Sequence, residues 1–166
     1  VSFRLAFPVQ QSAWQKVEPI RVAILNCLSA VLGDRELGEA VGIVTSELLE
    51  NAIKYGDWSR DEGRSLTVTV LGMGREVDVE VASPVGVESA HLARLQELLA
   101  WIRHFPSTRE AYIARMRAIA DEANPRGESR MGLVRIAYEG PCAIEANEDA
   151  GLLTVRATIR AGRGDS

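Results

Sequence analysis

Three kinds of hydrophobic pattern divide this chain. Ser2-Phe3-Arg4-Leu5-Ala6-Phe7 alternates, with Phe3, Leu5 and Phe7 on one side, and reads as an edge-type strand stopped by Pro8. Gln10 to Val17 reads as a loop carrying Trp14, and Pro19 suits the first position of a helix. Ile20, Ile24, Cys27, Leu28 and Val31 then recur at helical spacing until Gly33. Asp34 can cap a second helix, running from Arg35 to Tyr55, with Val41, Val44, Leu48 and Ala52 as one apolar stripe. Gly56 would end it by turning left-handed.

Asp57 to Ser65 is a polar loop, and Leu66 to Leu71 is a β-branched run. Gly72-Met73-Gly74 forms the turn into Glu76 to Val81, where valines alternate with acids. Such a pair has one dry face and one wet face. Leu92, Leu95, Leu99 and Ile102 mark one further helix. Tyr112, Met116, Ile119 and Ala123 mark another, capped by Ser107 or Thr108. A short helix with Leu133, Ile136 and Ala137 inward precedes two strands, Pro141 to Asn147 and Leu152 to Ile159, joined at Glu148-Asp149-Ala150-Gly151. This order predicts a two-layer α/β sandwich: a mixed, largely antiparallel sheet with helices on one face.

Composition narrows the function classes. The chain has 166 residues, 46% hydrophobic and 25% charged, as expected of one globular domain spanning the whole length. A formal net charge of -4 leaves no basic footprint for nucleic acid. No apolar run approaches the ~20 residues that span a bilayer, and Val1 to Phe7 does not read as a leader, so no membrane partner is expected and the cytoplasm is the expected compartment. Cys27 and Cys142 read as buried free thiols of a reducing compartment. His91 and His104 have no partners at zinc-ligand spacing.

The candidate chemistry lies on the second helix. Glu47, Asn51 and Lys54 share a stripe beside the apolar one. A carboxamide oxygen can bind magnesium, a carboxylate one turn earlier can take a proton, and an ammonium can meet phosphate. The same residues would also serve as an ordinary solvated face.

Glu47-Leu48-Leu49-Glu50-Asn51-Ala52-Ile53-Lys54-Tyr55-Gly56 resembles the N-box of the GHKL (Bergerat-fold, histidine-kinase-like) ATPases. With Glu first and an aromatic before Gly, it is most similar to the anti-sigma-factor serine/threonine kinases. The resemblance implies ATP and Mg2+ as cofactors, Glu47 as catalytic base, Asn51 as metal ligand and Lys54 near the phosphates. In that family a strand like Glu76 to Ser83 leads into Asp-x-Gly-x-Gly, whose aspartate binds adenine. Here Val81-Ala82-Ser83-Pro84-Val85-Gly86 has no aspartate, so Ser83 and Gly86 are the nearest candidates. Losing one charge-assisted hydrogen bond costs about 1.5–3 kcal/mol. Ser129-Arg130-Met131-Gly132-Leu133 resembles the family's second glycine motif, with Ser129, Arg130 and Gly132 as phosphate candidates at a helix start. An ordinary serine-capped helix is the alternative there.

Where the family carries an ATP lid, residues 85–127 would be a two-helix insertion. Its apolar stripes need each other, the parent domain or another protein, and a helical hairpin is the expected arrangement. The layout resembles a subgroup that includes the SiaB-type bacterial kinases of partner-switching signalling. The implied function is transfer of the ATP γ-phosphate to a small regulatory partner, STAS/anti-anti-sigma-like or a sigma factor. The alternative is a degenerate domain that binds nucleotide weakly or not at all and sequesters a protein. Such kinases are commonly homodimers, and the first strand and first helix could build such an interface, which the sequence does not establish.

Overall fold

A computed structural model describes residues 1–8, 14–57, 65–86, 91–121, 131–139 and 142–161. The elements are β1 (Ser2–Pro8), α1 (Trp14–Leu32), α2 (Arg35–Tyr55), β2 (Ser65–Met73), β3 (Glu76–Pro84), α3 (His91–Arg103), α4 (Thr108–Asp121), α5 (Met131–Glu139), β4 (Cys142–Asp149) and β5 (Leu152–Arg160). The strands form a five-stranded sheet in the order β1-β2-β3-β5-β4. Every pairing in it is antiparallel, so the expected mixed sheet is not found. Each strand enters by a reversal, and no crossover returns a strand parallel to its neighbour.

Alternation decides the two faces of the sheet. Val68 and Val70 of β2, Val77, Val79 and Val81 of β3, and Ala157 and Ile159 of β5 are buried in one core with α1, α2, Leu95, Leu99 and Ile136. The opposite face is polar and paired in register. Glu76 lies across from Arg160, Asp78 from Thr158 and Glu80 from Arg156, each joined by a side-chain hydrogen bond. Pairs at this depth are worth little each, but opposite charges facing across strands favour one alignment. The β2–β3 turn falls at Gly74-Arg75, beginning two residues later than the sequence predicts, with Gly74 at a positive φ of 61°. The β4–β5 turn places both Ala150 and Gly151 at positive φ, the geometry that matches strand twist.

The first helix differs most from expectation. It already begins at Trp14, so Pro19 lies inside it, and its buried line is Val17, Ile20, Ile24 and Leu28. Cys27 is exposed and Val31 is 59% exposed, since both turn away from that line. Two glycines of α2 let α1 approach closely. A Cβ on Gly38 would lie 2.7 Å from Ser29 Oγ and one on Gly42 3.3 Å from Arg21 Cγ.

The two helices after β3 do not form a free-standing hairpin. Leu95 and Leu99 of α3 enter the main core. Ala111 of α4 packs with Val134 and Ala137 of α5 and with Ile102 in a second cluster, and Tyr112 stacks on Tyr138 at 4.6 Å. The expected α4 stripe is rotated: Ala111 is fully buried, whereas Met116 is 47% exposed. Of the three partners open to these stripes, the parent domain supplies most of the contact. No helix among the described residues is long and apolar enough to cross a membrane.

Candidate functional site

The α2 helix is fixed at both ends before its polar face comes into play. Asp34 accepts a hydrogen bond from the Leu37 amide at 2.9 Å, closing the N-terminus. At the other end Gly56 donates to Ala52 O at 2.9 Å but is extended, with φ -67° and ψ 153°, so the expected left-handed turn is absent. The chain instead leaves straight toward β3, and the Asp57 amide donates to Pro84 O at 2.8 Å.

Against this helix lies the start of α5. Gly132 is the second residue of α5 and half-buried. A Cβ built on it would collide with Glu47 Oε2 and come within 3.7 Å of Asn51 Nδ2. Only glycine lets the two helices meet here with both polar side chains between them. Glu47 is 19% exposed and forms an ion pair with Arg135 of α5, Nη1 to Oε1 at 3.5 Å. That distance is long for a hydrogen bond, so the pair is Coulombic. Asn51 Nδ2 is buried and has no hydrogen-bond partner among the described residues. A buried amide group left unpaired costs free energy, which a ligand that pairs with it recovers.

The residues expected at the site divide into three groups. Glu47, Asn51 and Gly132 are brought together. Lys54 is exposed and its Nζ sits 5.0 Å over its neighbour Tyr55's ring, a cation–π contact, so the structure does not add it to that group. Ser83 and Gly86 lie at the end of β3, where Ser83 is buried in line with the inward valines. Gly86 faces Asp57, a Cβ there lying 3.6 Å from Asp57 Oδ2. Ser129 and Arg130 lie outside the described residues.

Sequence reasoning missed Arg135 and Asp57. Arg135 is one turn beyond Gly132, and only the packing of α5 on α2 brings it to Glu47. Asp57 directly follows the glycine that was expected to end the motif.

The donor set suits magnesium better than a transition metal. Among the described residues no three His, Cys, Asp or Glu side chains converge. Magnesium is commonly held by one or two protein oxygens, with phosphates and water completing its shell. Asn51 turned by half a rotation of its amide presents Oδ1 in place of the orphaned Nδ2. In either orientation its buried end suits a magnesium–phosphate group, as oxygen ligand or as donor to a phosphate oxygen.

These elements define an α/β domain in which an antiparallel sheet carries its helices on one face, with Glu47 and Asn51 of α2 packed against Gly132 of α5. A chain of the crystal structure of the SiaB-SiaC complex from Pseudomonas aeruginosa shares this fold. It matches 96% of the present chain and 89% of its own length, with a TM-score of 0.62 and 19% sequence identity. No protein-family model and no curated protein matches the chain.

Proposed function

We propose that this chain is a GHKL-class protein kinase that phosphorylates a Ser or Thr on a small regulatory partner protein. The observation that carries this reading is the convergence of Gly132 on Glu47 and Asn51: a carboxylate, a carboxamide with an unpaired buried end, and a glycine backbone at a helix start. Support also comes from the fold shared with a chain solved as part of a two-protein complex, SiaB-SiaC. A STAS-like partner fits a partner-switching role.

In this reading Asn51 is the residue that holds magnesium, which supplies charge neutralisation to the phosphates when bound. The partner's hydroxyl oxygen attacks the γ-phosphorus of ATP. The bond to the bridging oxygen breaks, ADP leaves, and Glu47 takes the hydroxyl proton. Positioning and electrostatics carry most of such a transfer. In this reading phosphate oxygens pass the Gly132 backbone, and the adenine would be held toward Ser83 and Gly86.

Glu47→Gln tests the assignment. It should keep the thermal shift with Mg-ATP and lose phosphate transfer; an unchanged transfer rate rejects Glu47 as base. One observation favours a second reading, a nucleotide-free module that sequesters its partner: the penultimate residue of β3 is buried Ser83, not an acid. No thermal shift with millimolar Mg-ATP, together with partner binding, would select that reading.

A further inference from the structure

The kinase reading sets a polyphosphate beside the Glu47 carboxylate. A carboxylate base and a polyphosphate repel one another at contact distance, and less of that repulsion is screened at a half-buried site. The magnesium that Asn51 would hold offsets part of that repulsion, and a side-chain cation beside Glu47 would offset more. Lys54, on the same stripe of α2 as Glu47, is turned onto the Tyr55 ring and exposed. Among the described residues, Arg135 brings its Nη1 to 3.5 Å from Glu47 Oε1.

Three features suit Arg135 to reading a phosphate. It sits one turn after Gly132 on α5, so the residue that lets the backbone approach Glu47 and the residue that reaches Glu47 share one helix face. Its side chain is 48% exposed, within reach of an incoming anion. A guanidinium presents several donors in a planar fork, which matches the oxygens of a phosphate.

We propose that Arg135 is the group that distinguishes a nucleoside triphosphate from a diphosphate. Its guanidinium rests against Glu47 in the unliganded protein and transfers to the terminal phosphate when that phosphate is present. The exchange frees Glu47 from its counter-ion as the reacting group arrives. This inference rests on the kinase reading, and adds to it a residue that neither the N-box nor the glycine motif contains.

The test is calorimetric titration of the parent chain, Arg135→Ala and Arg135→Lys with Mg-ATP and with Mg-ADP. The parent should bind Mg-ATP about tenfold or more tightly than Mg-ADP, as one charge-assisted phosphate contact implies. Arg135→Ala should lose that preference through weaker Mg-ATP binding, with Mg-ADP affinity unchanged. Arg135→Lys should recover part of it, which a purely structural role would not predict. Equal loss of both ligands in Arg135→Ala, or an unaltered ratio, overturns the inference and leaves the kinase reading standing. Failure of the parent to bind either nucleotide removes the kinase reading, and this inference falls with it.

Discussion

Gly132→Ala separates the site from the scaffold. The new methyl group would run into Glu47 Oε2 and come within 3.4 Å of Glu47 Cδ and 3.7 Å of Asn51 Nδ2. The obstructing atom is the tip of a flexible side chain, so the carboxylate moves and the backbone does not have to. The stability terms are small and opposed. Moving Glu47 off Arg135 forfeits a partly exposed ion pair, at most about 1 kcal/mol. Replacing glycine in a helix returns about 0.5–1 kcal/mol. The net change should stay within about 1 kcal/mol, or about 2–4 °C in Tm for a domain of this size. The ligand term behaves differently. With Mg-ATP at about 100 times Kd, the parent gains about 2.7 kcal/mol, about 5–11 °C. A hundredfold weaker variant at the same concentration gains only about 0.4 kcal/mol, about 1–2 °C. Differential scanning fluorimetry with and without Mg-ATP measures both quantities on one plate. A ligand shift in Gly132→Ala equal to that of the parent would show that phosphate does not pass Gly132. A loss of several kcal/mol in the free protein would show that the contact is core packing.

Three further outcomes follow from the scaffold. Asp34→Ala removes the α2 cap and should cost about 1 kcal/mol by urea denaturation, a Tm lower by about 2–4 °C; an unchanged midpoint would mean the cap contributes nothing. Leu49→Ala empties a fully buried position beneath the polar face and should cost about 2–5 kcal/mol with little change in m value. Burial pushes the Cys142 thiol up from an ordinary 9.0 to about 12, whereas Cys27 is exposed. At pH 8 the Cys142 thiolate is on the order of one part in ten thousand, so a thiol reagent should label Cys27 first and Cys142 mainly on unfolding; comparable rates by peptide mass spectrometry would contradict the burial.

Periodicity carried most of the architecture. The α2 boundaries, its cap at Asp34, the edge position of β1 and the β2–β3 and β4–β5 hairpins all follow from local patterns. Errors arose where tertiary contact overrode local preference. Pro19 reads as a helix start, yet Val17 has a core to enter and the helix extends back over it. Cys27 and Val31 have the spacing of a buried stripe, but α1 presents a neighbouring line to α2 and the sheet. Met116 lies on an exposed side of α4, because the side that meets α5 is the one carrying Ala111, which packs with Val134 and Ala137. The site was half legible. Glu47 and Asn51 were visible from helical spacing, and Gly132 from its resemblance to a glycine motif. Arg135 was not, since no rule of spacing links a residue of α5 to a carboxylate of α2.

The ladder of acids and bases across β3 and β5 has a mechanical consequence. Sliding either strand by a single residue would carry Val77, Val79 and Val81 out to water and set Glu76 and Glu80 beneath the helices, a penalty paid at every rung together. The Val85 amide, donating to Gly151 O at 2.9 Å, adds a latch at the rim nearest Gly86. The strands therefore act as an anvil. Against that fixed register, Glu47 and Asn51 of α2 meet Gly132 and Arg135 of α5, so the position of α5 decides how closely the two polar sets approach.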